Sequence, residues 1–220
     1  MTQEQWLSCR EPVPLLRFLL GAGRASERKL RLFACACCRR IWDLLPDPRN
    51  RDLVAAVEDH PDGTFDDPDL DAAITASSAR GWEFGDRPAY WAAKYLGRGF
   101  YKMTAGPSAV AVALHAASAI PEGPDRQAEI AAQADLLREI FGPLPFRPVT
   151  IDASVLAWND RTVVRLAQGI DDERAFHRMG VLADALLDAG CDNEDVLSHC
   201  RQQGGHVRGC FVLDLLLNKP

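Results

Sequence analysis

The sequence predicts an all-α protein, an irregular multi-helix globular bundle, and two observations lead to that prediction. Apolar residues recur at steps of three and four along most segments, which is the spacing of one helix face. Capping residues followed by proline, as in Asp47-Pro48 and Asp67-Pro68, mark places where helices begin. No alternating run of apolar and polar residues is long enough to indicate a convincing strand.

The same signals place the individual helices. A short helix is predicted at residues 12–20, closed by Gly21 and Gly23. A long helix follows Ser26 as its N-cap, and its apolar stripe runs from Leu30 to Leu44. Further helix starts are predicted, in chain order, near residues 48, 68, 88, 108, 124, 154, 160 and 172.

A proline-rich stretch, GPLPFRPVT at residues 142–150, interrupts the helical pattern because prolines forbid a helix there. We therefore expect a helical main body at residues 1–141 and an extended linker at 142–151. A small C-terminal helical subdomain follows at 152–220. The alternative is that both helical parts pack as one domain.

Charge is unevenly distributed along an acidic chain. The net charge of −6 argues against bulk attraction to nucleic acid or to an anionic membrane. Residues 1–50 nevertheless carry nine Lys/Arg against five Asp/Glu, and a basic run occupies residues 24–40. Pairing within the protein is the favoured explanation, and association with nucleic acid through this run is a third possible function. The two differ in whether Arg28, Arg31, Arg39 and Arg40 face solvent together or meet carboxylates.

The cysteine content indicates a reducing compartment. There are seven cysteines, an odd number, and the first residues lack a basic segment followed by an apolar stretch. No apolar run approaches the roughly eighteen residues that a membrane span needs. We therefore expect a cytoplasmic protein without a membrane partner, whose cysteines are reduced and mostly buried.

The segment from Cys191 to Cys210 holds three cysteines and two histidines, residue types that bind zinc. If a helix starts near His206, then His206 and Cys210 share a face, and His199 or Cys200 could approach from the preceding helix. Against this, His199 and Cys200 are adjacent and point about 100° apart on a helix, and this segment contains no CxxC pair. We therefore favour buried thiols at helix ends and predict no metal ligand. A zinc-binding protein or metal-dependent enzyme that uses residues 199–210 is the alternative function.

The same segment also suggests an anion site. Gly205, His206 and Arg208 would lie at a helix start, where backbone N–H groups and a guanidinium attract a phosphate or carboxylate. The alternative is a tight turn in which Arg208 pairs with an acidic residue at 192–195.

Aromatic residues are concentrated between Trp82 and Met103, in a stretch that also carries arginine and glycine. Core packing is the favoured explanation, and a partner surface made of Tyr90, Trp91 and Tyr95 is the alternative. We find no catalytic residues: Ser108 and His115 are two helical turns apart, and the chain contains no GxSxG, Walker A or HExxH sequence. The sequence therefore predicts a non-catalytic protein-interaction or ligand-binding module without a cofactor, whose protein or small-molecule partner is unknown.

Several blocks of sequence together resemble a family of paralogous, uncharacterised bacterial proteins. These blocks are SERKLRLFACACCRRIW, LAWNDRTVVRLAQGI, and LADALLDAGC with the later HVRGC. The resemblance covers both ends and much of the second half, whereas residues 52–105 match nothing in the family. It implies no activity, cofactor or catalytic residue. The chain departs from the family pattern at FGPLPFRPV, where a shorter Asn-Pro-Phe turn is expected, and at residues 202–205.

Overall fold

The structure is a computed structural model that describes residues 1–64, 66–79, 81–85, 87–101, 104–143, 146–202 and 205–219. These residues contain no β-strand, which confirms the all-α prediction. No helix in these ranges is long and apolar enough to cross a bilayer. The helices are α1 (Gln3–Ser8), α2 (Pro12–Gly21), α3 (Glu27–Arg40), α4 (Pro48–Asp59), α5 (Pro68–Ser78), α6 (Gly81–Phe84), α7 (Pro88–Tyr101), α8 (Ala105–Ser118), α9 (Pro124–Phe141), α10 (Ala153–Glu173), α11 (Met179–Asp188), α12 (Glu194–Cys200) and α13 (Phe211–Leu216), with 3₁₀ turns at Trp42–Leu44 and Phe176–Arg178.

The capping residues that the sequence indicated begin the helices as expected. The Ser26 hydroxyl accepts a hydrogen bond from the backbone N–H of Lys29. The carboxylates of Asp47 and Asp67 accept from backbone N–H groups in the first turns of α4 and α5. Each of these side chains satisfies an N–H group that lacks a partner within its helix, and proline follows where no N–H is needed.

After residue 152 the break predicted before residue 160 is present, whereas the helix start predicted near residue 172 is not. Residues 158–161 leave the helical conformation inside α10, with positive φ at residues 159–161, and α10 then continues to Glu173. Arg174 ends it in the left-handed conformation, and the N–H of Ala175 bonds to the carbonyl of Ile170. The next helix therefore begins at Met179 rather than near residue 172, because this cap reverses the chain first.

The described chain divides into two compact units, and the first comprises Met1–Leu137. In this unit α8 packs against α2, α3 and α7, and α4 packs against α3, α5 and α7. Fully buried side chains such as Leu15, Phe33 and Leu53 form its core. The α3 cysteines Cys35, Cys37 and Cys38 lie in this core, in line with the favoured prediction of buried thiols.

The basic run of α3 faces carboxylates within the first unit. Each of the four arginines singled out above has an acidic partner: Arg28–Asp62 (3.5 Å), Arg31–Glu27 (3.3 Å), Arg39–Glu58 (2.7 Å) and Arg40–Glu129 (2.8 Å). The local excess of positive charge is thus balanced by acidic residues later in the chain. A phosphate backbone would have to displace these partners, so the observed pairing removes the main support for nucleic-acid binding through residues 24–40.

The second unit comprises Arg138–Pro220. Here α10 packs against α11 and α13, and α11 packs against α12, around a core that includes Val163, Leu182 and Phe211. The sequence-based main body ran to residue 141, but the last turn of α9 belongs to this second unit. That turn carries Glu139, a charged residue whose side chain is only 7% exposed.

Candidate metal centre

Four side chains with metal-binding atoms converge inside the second unit: Glu139, His199, His206 and Cys210. Each contributes one oxygen, nitrogen or sulfur atom, and these atoms all lie within 4.8 Å of one another. The side chains are 3–7% exposed for Glu139 and the two histidines, and Cys210 is fully buried. A buried group of this composition is the type of donor set that proteins use to hold zinc and similar ions.

The four residues come from separate parts of the chain. Glu139 lies in the last turn of α9, and His199 lies in α12, whose start is fixed by the Asn193 side chain accepting from the Val196 N–H. His206 lies in the irregular segment that follows α12, and Cys210 is the residue immediately before α13. The group therefore joins both ends of the second unit, since Glu139 and His206 are 67 positions apart.

The distances within the group are short. Nε2 of His199 lies 3.1 Å from Oε2 of Glu139 and 3.1 Å from Sγ of Cys210. Nδ1 of His206 lies 3.0 Å from the other carboxylate oxygen, Oε1 of Glu139. The two imidazole rings meet edge to face with centroids 5.0 Å apart, and Phe211 covers the His199 ring at 4.4 Å.

Hydrogen bonds to the Glu139 carboxylate account for part of this arrangement, since both imidazoles and the Cys210 thiol lie within its reach. Nε2 of His199 carries at most one proton, yet it faces both the Glu139 carboxylate and the Cys210 sulfur. A catalytic Cys-His-acid arrangement would instead place the thiol and the carboxylate at opposite ring nitrogens. Nε2 of His206 is buried without a hydrogen-bond partner in the described part of the chain. A cation shared by the group would use this convergence of donors, and the buried Nε2 of His206 is a polar atom that the hydrogen bonds leave over.

The electrostatics of the group centre on the carboxylate. Burial raises the pKa of Glu139, but hydrogen bonds from His199 and His206 outweigh it and lower the pKa from 4.5 to about 2. Burial also raises the pKa of the Cys210 thiol well above 9.0, and the nearby Glu139 charge adds to the rise. In the absence of a cation the carboxylate is therefore charged while the thiol stays protonated, and a metal ion would have to displace the thiol proton on binding.

The spacing and the charge of the group suit a divalent ion. Zinc–nitrogen and zinc–oxygen bonds of about 2.0–2.1 Å place tetrahedral ligand atoms about 3.3 Å apart, and the longer zinc–sulfur bond widens one corner. The four ligand atoms lie within 4.8 Å of one another, so a bound ion would draw the more distant ones closer together. One carboxylate, one thiolate and two neutral imidazoles carry a charge of −2, so a divalent ion leaves the buried site neutral. Neutrality matters because an uncompensated charge in a protein interior costs several kcal/mol.

The outcome for the Cys191–Cys210 segment is mixed. His199, His206 and Cys210 do come together, whereas Cys191 and Cys200 lie in the apolar core of the second unit and are not members of the group. Adjacent His199 and Cys200 do not both join the group, as their directions on the helix predicted. His199 joins it together with His206 and Cys210.

Glu139 was missed by the sequence analysis, because it lies 60 residues before the nearest histidine of the group. The only local sign of it was a carboxylate set between apolar neighbours in DLLREIF, near the end of a helix. A buried charge at such a position needs a partner, and that requirement could have marked it.

The predicted anion site at Gly205, His206 and Arg208 is corrected by the structure. The helix begins at Phe211 rather than near His206, so no helix N-terminus is available at these residues. The His206 ring already faces the Glu139 carboxylate, and Arg208 is engaged within the protein. The backbone reason is that Gly205 and Gly209 adopt φ values of +83° and +87°, which are not helical.

The predicted partner surface is only partly at the surface. Tyr90 is 4% exposed and belongs to the core of the first unit, so it offers little surface to a partner. Trp91 and Tyr95 are half-buried on α7, beside His115 of α8. Tyr95 stacks on His115 with ring centroids 5.2 Å apart, and the Arg98 guanidinium lies 5.2 Å from the Tyr95 ring and 5.8 Å from the Trp91 ring.

No protein-family model, curated protein or solved structure matches the chain. The geometry of the four-residue group is therefore the main basis for a function.

Proposed function

We propose that this protein binds one divalent transition-metal ion, zinc in the first place, through Glu139, His199, His206 and Cys210. The observation that carries the proposal is the convergence of four buried ligand atoms within 4.8 Å of one another. The unpartnered Nε2 of His206 supports it.

Ligand chemistry favours zinc over the hard cations. Magnesium and calcium prefer six or more oxygen ligands, whereas this group offers one carboxylate, two imidazoles and one thiol. Four protein ligands complete a tetrahedron and leave no position for a substrate, which is the pattern of structural zinc sites. The proposed role is therefore binding without catalysis.

The test is metal analysis of purified, untagged protein together with cobalt substitution. We expect about one zinc per chain, and a cobalt complex with the visible bands of a tetrahedral site and a thiolate charge-transfer band in the near ultraviolet. The Cys210→Ala variant should lose the charge-transfer band. Its zinc affinity should fall by more than about 100-fold, since even outer-shell partners contribute 10–100-fold.

The matched control is Cys200→Ala, which removes another buried thiol of the same unit that is not one of the four ligands. This variant should keep the cobalt spectrum and the zinc stoichiometry. Equal loss in both variants would show that any change in this core releases the metal. A wild-type protein that binds neither ion would refute the proposal.

A second candidate function is binding of an acidic partner on the first unit. Its specific support is Arg98, which lies over two half-buried rings and forms no ion pair within the described ranges. A short polyglutamate peptide should quench tryptophan fluorescence, and Arg98→Ala should weaken that binding about tenfold. The exposed Arg165 of the second unit supplies the control, Arg165→Ala, which should bind normally. Equal binding by both variants would rule out this face.

A further inference from the structure

The last helix, α13, is too short to hold its own position. It has six residues, and isolated helices below about twelve residues are marginal in water. Its N-cap residue is Cys210, which is not among the strongly preferred capping residues Ser, Thr, Asp and Asn. Even so, α13 inserts Phe211, Val212, Leu213 and Leu216 into the core of the second unit. Something outside the helix must therefore fix where it starts.

The start of α13 packs against the end of α9 and against α12, the two helices that carry Glu139 and His199. A Cβ atom built on Gly142 would lie 2.6 Å from the Phe211 ring, so that ring packs directly on the backbone three residues after Glu139. The Phe211 ring also packs against the His199 ring, with ring centroids 4.4 Å apart. Cys210 and Phe211 thus contact both the end of α9 and α12 at the first turn of the helix.

The segment that leads into α13 has little structure of its own. Its described residues, 201–202 and 205–210, form turns and irregular chain without a helix or strand. His206 and Cys210 are its contacts with the four-residue group. A metal ion that binds these two residues together with Glu139 and His199 would close the segment onto the unit at two points.

We propose that the metal docks α13, so that metal occupancy and the packing of residues 205–219 form one coupled equilibrium. This inference rests on the proposed function. In the metal-free protein, the C-terminal segment loosens while α10 and α11 keep their packing. The bound ion holds residues 205–219 against the rest of the unit, and the concentration of free metal determines whether these residues are ordered.

Hydrogen exchange of the full-length protein, with zinc or with a chelator, tests this coupling. The informative amides are those of Asp214, Leu217 and Lys219, which donate to the carbonyls of Cys210, Leu213 and Asp214. If only the docked form binds metal, exchange slows in proportion to free zinc, about 100-fold at 100 times the dissociation constant. Amides of α11 that exchange by local opening should change less than about twofold.

A variant at the other end of the segment provides the control. The Nζ atom of Lys219 lies 2.6 Å from the buried Asp171 carboxylate in α10, and neither residue belongs to the four-residue group. Lys219→Ala should speed exchange of α13 both with and without zinc, and should leave the metal stoichiometry at one.

The possible outcomes separate the two proposals. A cobalt complex with a thiolate band but unchanged exchange in residues 211–216 would overturn the docking proposal and leave metal binding intact. Equal protection of every amide in the second unit would also overturn it, because the coupling would then be global. Failure to bind any metal would overturn both.

Discussion

Glu139 is the residue on which the electrostatics of the second unit depend. Its carboxylate is buried and charged, and the imidazoles of His199 and His206 stabilise that charge from two sides. Breaking a buried pair by removing one partner is far more costly than losing a surface pair, because the remaining group stays desolvated. The same carboxylate that would neutralise part of a metal charge therefore also supports the fold when no metal is bound.

The first prediction concerns pH in the presence of a chelator. The pKa of Glu139 falls from 4.5 to about 2 on folding, so its contribution is fully present above about pH 5 and is lost as pH falls toward 2. The shift corresponds to roughly 3 kcal/mol at neutral pH. Urea unfolding should show Glu139→Gln less stable than wild type by about that amount at pH 7. The difference in unfolding free energy between wild type and variant should shrink by half or more near pH 3. A difference that does not change with pH would contradict the stabilising role of the charged Glu139 carboxylate.

The second prediction concerns the thiols. Burial raises the pKa of Cys38 and Cys200 to about 12, and only Cys9 among the seven cysteines is not buried. Since the thiolate is the reactive form, a disulfide reagent at pH 8 should label one thiol per native chain quickly and all seven in denaturant. Cys9→Ser should abolish the fast reaction. Rapid labelling of a second thiol in the native protein would contradict the packing of these cores.

Side-chain chemistry explains which site residues the sequence could indicate. Histidine and cysteine stand out in a short segment, so His199, His206 and Cys210 were candidates from spacing alone. Glutamate is common on helix surfaces, and nothing in DLLREIF states that Glu139 turns inward. Its membership depends on contacts between residues 67 positions apart, which only the tertiary structure supplies.

At the scale of helices, local signals determined the starts better than the ends. Ser26, Asp47 and Asp67 cap helices because each side chain reaches an N–H group two or three residues away, a purely local event. The start of α13 was misplaced because apolar spacing does not reveal that Gly205 and Gly209 adopt left-handed backbone conformations. Those glycines delay the helix to Phe211 and place His206 outside it.

The third prediction uses two glycines that follow helices, Gly142 after α9 and Gly190 after α11. Gly142 and Gly190 both have positive φ, but only at Gly142 would a Cβ atom meet another group, the Phe211 ring at 2.6 Å. Gly190→Ala should cost about 1 kcal/mol from backbone strain alone. Gly142→Ala should cost about 3 kcal/mol, because it adds a steric clash with the first residue of α13. Denaturant unfolding measures the loss of unfolding free energy in each variant. Equal losses would mean that the Phe211 side chain moves aside without a steric penalty.

At the scale of the molecule, the two units differ in how their polar interiors are stabilised. The first unit pairs arginines of α3 with carboxylates, as in Arg39–Glu58 and Arg40–Glu129. The second unit has the ion pair Lys219–Asp171 and in addition places a carboxylate, two imidazoles and a thiol together. The described residues contain no other group of three or more metal-binding side chains of this kind. A chelator should therefore act on one unit only.

Tryptophan fluorescence can separate the two units during thermal unfolding. Trp158 is the single tryptophan of the second unit and packs against its core, whereas the other four precede residue 138. At zinc concentrations near 100 times the dissociation constant, linkage adds about 2.7 kcal/mol to the second unit. Its Tm should rise by about 10 °C or more, given 4–8 °C per kcal/mol for a unit of this size. In the Trp158→Phe variant the fluorescence reports only the first unit, and its Tm should be the same with zinc or with chelator. A zinc-dependent shift of that Tm would contradict a metal effect confined to the second unit.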